Sequence, residues 1–208
     1  MNTQINGDLQ SGSTSRKQAK PEFARISDSR KYTAQMSSGT GTNCHTDDLN
    51  VKFDKEIRKH IFIQKRVTVF DVAAYILNKL GSISAMKLQK LVYYCQAWSL
   101  VWDERPLFSE RIEAWTNGPV VPELFAFHRG QFIVDEIPIG NVDNLNSTQK
   151  ETIDAVLDFY GDKPAQWLID LAHSEKPWQN ARKGLSETES GNREISIEAI
   201  ADYYSSLS

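Results

Sequence analysis

Few side chains in this chain have types and spacings that could do chemistry. His173 and Glu175 stand two apart in LAHSEKPW, and His128 lies upstream. A histidine beside a carboxylate is the pair that general acid–base catalysis uses. No nucleophile and no ligand set accompanies it, so the plainer role is favoured: His173 closes a helix begun at Pro164 and bonds locally. Cys44-His45 could ligate a metal, but a tetrahedral site needs a second pair, and none is present. The other cysteine, Cys95, sits in an apolar helical run and reads as a small buried hydrophobe. There is no GxxxxGK[ST], no GxGxxG after a strand, no HExxH and no GxSxG. No catalytic residue, cofactor or metal is expected.

The second constellation is aromatic: Trp115, Trp167 and Trp178 with Tyr93, Tyr94 and Tyr203. Such residues are enriched at binding hot spots and are equally ordinary core filler. Core is favoured for each alone. For Trp115, beside the exposed-looking corner Asn117-Gly118-Pro119, the two readings stand level.

The elements that must position these residues follow from composition and periodicity. The chain has 208 residues, 40% hydrophobic and 25% charged, as in soluble globular proteins. No apolar run has the ~18 residues of a membrane span, and no secretory h-region opens the sequence, so a cytoplasmic location is expected. Residues 1–66 hold 12 Lys+Arg against 7 Asp+Glu, and residues 67–208 hold 12 against 20. The tail is thus basic and the remainder acidic. An acidic domain repels phosphate backbones and suits a basic protein partner.

Residues 1–50 are rich in Ser, Thr, Gly, Asn and Gln and lack period, so a disordered tail is expected. Residues 51–66 read as a marginal helix or linker. The two together, 1–66, form a basic extension. One alternative is that translation begins at Val67, which an intact mass near 23.6 kDa would exclude.

A domain is expected over 67–208. Thr68 and Asp71 form a capping box for a helix that Gly81 ends. Ser84 caps a helix from Ala85 to Trp102 that is apolar most of the way round, hence central. The four-residue link between these helices suits a helix-turn-helix, but a recognition helix needs exposed basic and amide groups. Here Lys87, Gln89, Lys90 and Gln96 are outnumbered by core residues.

Arg111–Thr116 alternates as a short strand, Asn117-Gly118-Pro119 turns, and Val120-Val121 returns. Pro122 opens a helix reaching Gly130, and Phe132–Ile139 is an edge strand or loop. Asn146 or Ser147 caps a helix closed by Gly161, and Pro164 starts the next. A short helix over Gln179–Lys183, a polar loop over 184–193 and a helix capped by Ser196 complete the chain. The fold class is mainly α, a compact helical domain with a small β-hairpin behind a disordered tail.

Four stretches together are similar to a known family. Lys87-Leu88-Gln89-Lys90-Leu91-Val92-Tyr93-Tyr94, continuing to Gln96-Ala97-Trp98, resembles the KLQKLLYYAQ-W signature of the Panacea domain, the family of SocA-like antitoxins and phage-associated GepA-like proteins. Pro106-Leu107-Phe108 resembles its PLF turn. Glu113-Ala114-Trp115 and Gly118-Pro119-Val120-Val121-Pro122 resemble its EAW..GPVVP segment. Leu171–Trp178 is similar to its L(T/A)H.E.PW motif. Val92 and Cys95 depart from the usual Leu and Ala.

The resemblance spans about 67–207. It implies a mostly helical, non-enzymatic bacterial or prophage antitoxin that binds and neutralises the toxin of a neighbouring gene. A variant role is an adaptor handing the toxin to an AAA+ protease. Membrane association is not implied, and nucleic-acid binding by the domain is disfavoured by its charge. The partner-binding candidates are Trp115 with Pro119 as anchor, and His173 and Trp178 stabilising the adjoining junction.

Overall fold

The computed structural model describes residues 66–186 and 188–207. The tail readings over 1–65, including Cys44-His45, lie outside the described residues. Seven α-helices and two small antiparallel sheets make up the described part.

The helix starts follow local chemistry. Helix α1 (Val69–Leu80) opens on the predicted box, with the Thr68 hydroxyl facing the Asp71 amide and the Asp71 carboxylate accepting from Thr68 N at 2.8 Å. Asp71 is itself buried and also accepts from Asn141 N at 2.7 Å and Asn144 Nδ2 at 3.0 Å, so one carboxylate ties α1 to a distant loop. Strand β1 (Ile83–Ser84) leads into α2 (Ala85–Trp102), which Ser84 caps through Lys87 N.

Helix α2 is the axis of the domain. Every residue from Leu88 to Ser99 is buried. It packs against α1, α4 (Ser147–Tyr160), α5 (Ala165–Ser174) and α7 (Ile197–Ser205), and against the hairpin β2 (Glu113–Trp115)–β3 (Gly118–Val120). Burying a Leu such as Leu88 or Leu91 contributes about 1.5–3 kcal/mol, and truncating Leu91 to Ala would cost about 2–5 kcal/mol. Between α2 and α4 the rings of Tyr94 and Tyr160 stack at 4.4 Å, and Trp98 Nε1 donates to Tyr160 Oη at 3.2 Å. A buried indole N–H needs such an acceptor.

The hairpin differs in detail from expectation. Trp115 pairs with Gly118, so the turn is only Thr116-Asn117, and Gly118 and Pro119 belong to β3. Gly118 has φ +95°, a conformation that only glycine adopts without strain. Only Asn117 of the predicted corner is exposed; Gly118 and Pro119 are buried. The chain returning at Glu194 bridges to Glu113 on the outer side of β2, with Ala114 N donating to Arg193 O at 2.8 Å.

Helix α3 (Pro122–His128) starts with proline in its first turn, as expected. Strand β4 (Ile133–Val134) pairs with β1. Asn146 caps α4 in a box with Gln149. Helix α6 (Lys176–Ala181) begins earlier than the expected Gln179, because Pro177 fits a first-turn position where no N–H is needed. The mainly helical architecture with a small β-hairpin is as the sequence indicates, with β1–β4 as an additional pair.

Candidate functional site

The site is built where the hairpin crosses α2 and meets the α5–α6 junction. Strand β3 and the residue after it have backbone groups that no further strand pairs, and α2 supplies the partners. Lys90 Nζ donates to the Pro119 carbonyl at 2.8 Å. Gln89 accepts from Val121 N at 2.9 Å and donates back to Val121 O at 3.4 Å. About two turns on, Gln96 accepts from Leu107 N at 2.8 Å and donates to Phe108 O at 3.0 Å, holding the PLF turn. These three polar residues are buried because irregular backbone inside a domain must be hydrogen-bonded.

Sequence reasoning counted Gln89, Lys90 and Gln96 as the polar minority of a core helix and missed this role. The signal was present: a helix apolar on all sides leaves its polar residues no solvent face.

Around the hairpin, three of the four predicted site residues come together. Trp115 is half-buried, meets Phe125 edge-on at 4.8 Å, and donates Nε1–H to Glu113 Oε2 at 2.7 Å. Its carbonyl accepts from Trp178 Nε1 at 2.8 Å. The His173 ring stacks on Trp178 at 4.1 Å and 24°. Burial lowers the His173 pKa, against an opposing backbone interaction with Thr116, so the ring is neutral near pH 7. The Arg182 guanidinium lies 5.2 Å from the Trp178 ring and donates to Ala114 O at 3.1 Å and Glu189 O at 2.7 Å. The fourth residue, Pro119, faces inward and offers its carbonyl to Lys90.

The possible acid–base set is dispersed. Glu175 turns away from His173 to accept from Tyr204 Oη at 2.7 Å and Tyr94 Oη at 3.4 Å. Burial raises its pKa to about 8, with the two tyrosine hydrogen bonds opposing. His128 is buried beneath α3, its Nε2 3.0 Å from Gln89 Nε2. Since the Gln amide donates, this His128 nitrogen is the acceptor, and burial lowers the ring's pKa, consistent with a neutral imidazole. No cluster of three or more His, Cys, Asp or Glu that could hold a metal occurs among the described residues.

Above this scaffold opens a cleft of about 1200 Å³. Trp115 and Phe125 form one side, Ile169 and Gln166 of α5 another, and Phe132 stands at the rim. His128 and Gln89 lie at its floor.

Fold and site together define a small helical domain with a half-exposed aromatic cleft. Residues 88–179 match the family described as antitoxin SocA-like, Panacea domain. The match runs from α2 to α6 and includes Lys90, Trp115, His173, Glu175 and Trp178. No curated protein and no solved structure gives a significant match to the chain. No helix among the described residues is long and apolar enough to cross a membrane.

Proposed function

We propose that this protein is an antitoxin that binds and neutralises a protein toxin encoded by a neighbouring gene. The observation that carries this reading is the antitoxin SocA-like family match over residues 88–179. The domain, residues 67–208, acts in the cytoplasm, as a bacterial or prophage-encoded antitoxin, by covering the toxin rather than by catalysis. Trp115 is the anchor, since it is half-exposed and braced by Glu113, Phe125 and Trp178. Pro119 and the His173–Trp178 stack support it from behind. The acidic balance of 67–208 favours a basic partner surface.

Co-expression tests the reading. The neighbouring gene is expressed alone, with residues 67–208, and with the full chain, and growth is followed. Toxicity relieved by 67–208 is the expected result. A harmless neighbour would remove the reading, and relief only by the full chain would move toxin binding to the tail. A toxin half-life that shortens when the protein is present would show delivery to an AAA+ protease in place of blocking.

A further inference from the structure

The cleft has a chemical character unlike the rest of the chain. A quarter of all residues are charged, yet none of the nineteen that line the cleft is Asp, Glu, Lys or Arg. Its volume of about 1200 Å³ exceeds the ~300–1,000 Å³ common for small-molecule pockets. The aromatic side chains Trp115, Phe125 and Phe132 are available to an apolar group. Phe132 is 82% exposed and continues outward into Ile133, itself half-exposed. A large exposed aromatic at the rim of an uncharged cleft marks an interaction surface better than a scattered surface residue does.

The polar groups of the walls narrow the occupant further. Thr116, Asn117, Gln131, Gln166, Ser190 and Asn192 bring hydroxyls and carboxamides, which both donate and accept. A bound helix satisfies its own backbone and asks only for an apolar groove. An extended peptide brings one free N–H and one free C=O per residue, and it needs walls of this mixed kind. Charged segments are disfavoured, because the cleft offers them no counter-ion for their lost hydration. The floor is stiff: Gln89 is held by two hydrogen bonds to Val121 and one contact to His128. Little ordering is then required of this side on binding.

We propose that this cleft receives an extended, uncharged segment of a partner protein, with one aromatic or aliphatic side chain seated among Trp115, Phe125 and Phe132. The biological partner rests on the antitoxin reading, whereas the peptide site itself does not.

The test uses the purified full chain and a random decapeptide display library, and it needs no knowledge of the toxin. Enriched sequences are expected to lack charge and to carry an aromatic or large aliphatic residue. Synthetic versions should bind Phe132→Asp and Asn192→Lys at least tenfold more weakly than the native protein and Glu151→Lys equally well. The side chains of Phe132, Asn192 and Glu151 are all exposed, and unchanged circular dichroism would show that the variants fold.

Absence of any enriched sequence, enrichment of charged ones, or equal binding by the two cleft variants would overturn the proposal. So would a dimer that Phe132→Asp dissolves, since a second copy would then occupy the cleft. Peptide selection that succeeds beside a harmless neighbouring gene retains the cleft and removes the antitoxin reading. Failed selection beside a clear growth rescue does the reverse.

Discussion

Lys90 Nζ donates to the carbonyl oxygen of Pro119 at 2.8 Å, from a side chain with no exposure to solvent. The lysine thus does for β3 what a neighbouring strand would do, at the cost of placing an amine in the core. Burial lowers its pKa from 10.5 to about 7.

That depression makes Lys90 a source of pH-dependent stability. Between about 7 and 10.5 the unfolded chain binds a proton that the folded one has lost, so folding stability rises with pH in this window. The stabilisation is complete above 10.5 and is lost as pH falls to about 7. Urea denaturation should show native stability increasing from pH 8 to 10 relative to Lys90→Met. The methionine variant should also lose about 1–3 kcal/mol at pH 10, from the Pro119 carbonyl left unpaired. Parallel profiles for the two proteins would refute this account.

Glu175 acts in the opposite sense and in a lower window. Its folded pKa, about 8, lies above the ordinary value of 4.5, so the folded state holds a proton that the unfolded state releases. Stability is full below about 4.5 and is lost as pH rises to about 8. Glu175→Gln keeps an acceptor for Tyr204 and Tyr94 and cannot ionise. It should match the native protein near pH 4.5 and exceed it at pH 8, by at most a few kcal/mol at about 1.4 kcal/mol per pH unit. A variant less stable than native at pH 8 would contradict the assignment.

A Cβ at Gly118 would approach Lys90 Cε at 2.7 Å, and the backbone there has φ +95°. Gly118→Ala should therefore cost more than about 1 kcal/mol. Lys90→Ala removes the close contact but leaves the backbone strain. In a double-mutant cycle Gly118→Ala should be milder in the Lys90→Ala background, with a coupling of about 0.5 kcal/mol or more. Strict additivity in thermal or urea melts would show that the two do not press on each other.

Trp115 presents its ring to the cleft, while its backbone carbonyl, not its ring, receives Trp178. Trp115→Ala should keep the Trp178 hydrogen bond and the fold, and weaken toxin binding by about 2 kcal/mol or more. Calorimetric titration with the toxin would measure it, and unchanged affinity would take Trp115 out of the interface.

His173→Ala should leave toxin protection largely intact, because the ring only braces Trp178 behind the anchor and has no carboxylate partner in Glu175. Loss of protection with a folded protein would reopen the acid–base reading of His173.

Helix starts were legible in the sequence because they are set within four residues. Thr68 with Asp71, Ser84, Asn146 and Ser196 each satisfy amides in their own first turn. So was the centrality of Ala85–Trp102, since a helix apolar on all sides has to be surrounded. The four family motifs were equally readable as strings, and the hairpin was readable as a pair of short strands. Tertiary structure alone decided where polar side chains of that central helix went. Gln89, Lys90 and Gln96 are matched to backbone 11 to 32 residues away, and no local rule names such partners. It also decided that Glu175, two residues from His173, faces tyrosines from α2 and α7, because the chain turns between α5 and α6 at that residue. The uncharged cleft is of the same kind: its walls come from segments as far apart as Ser84 and Asn192, and proximity among them exists only once the core has packed.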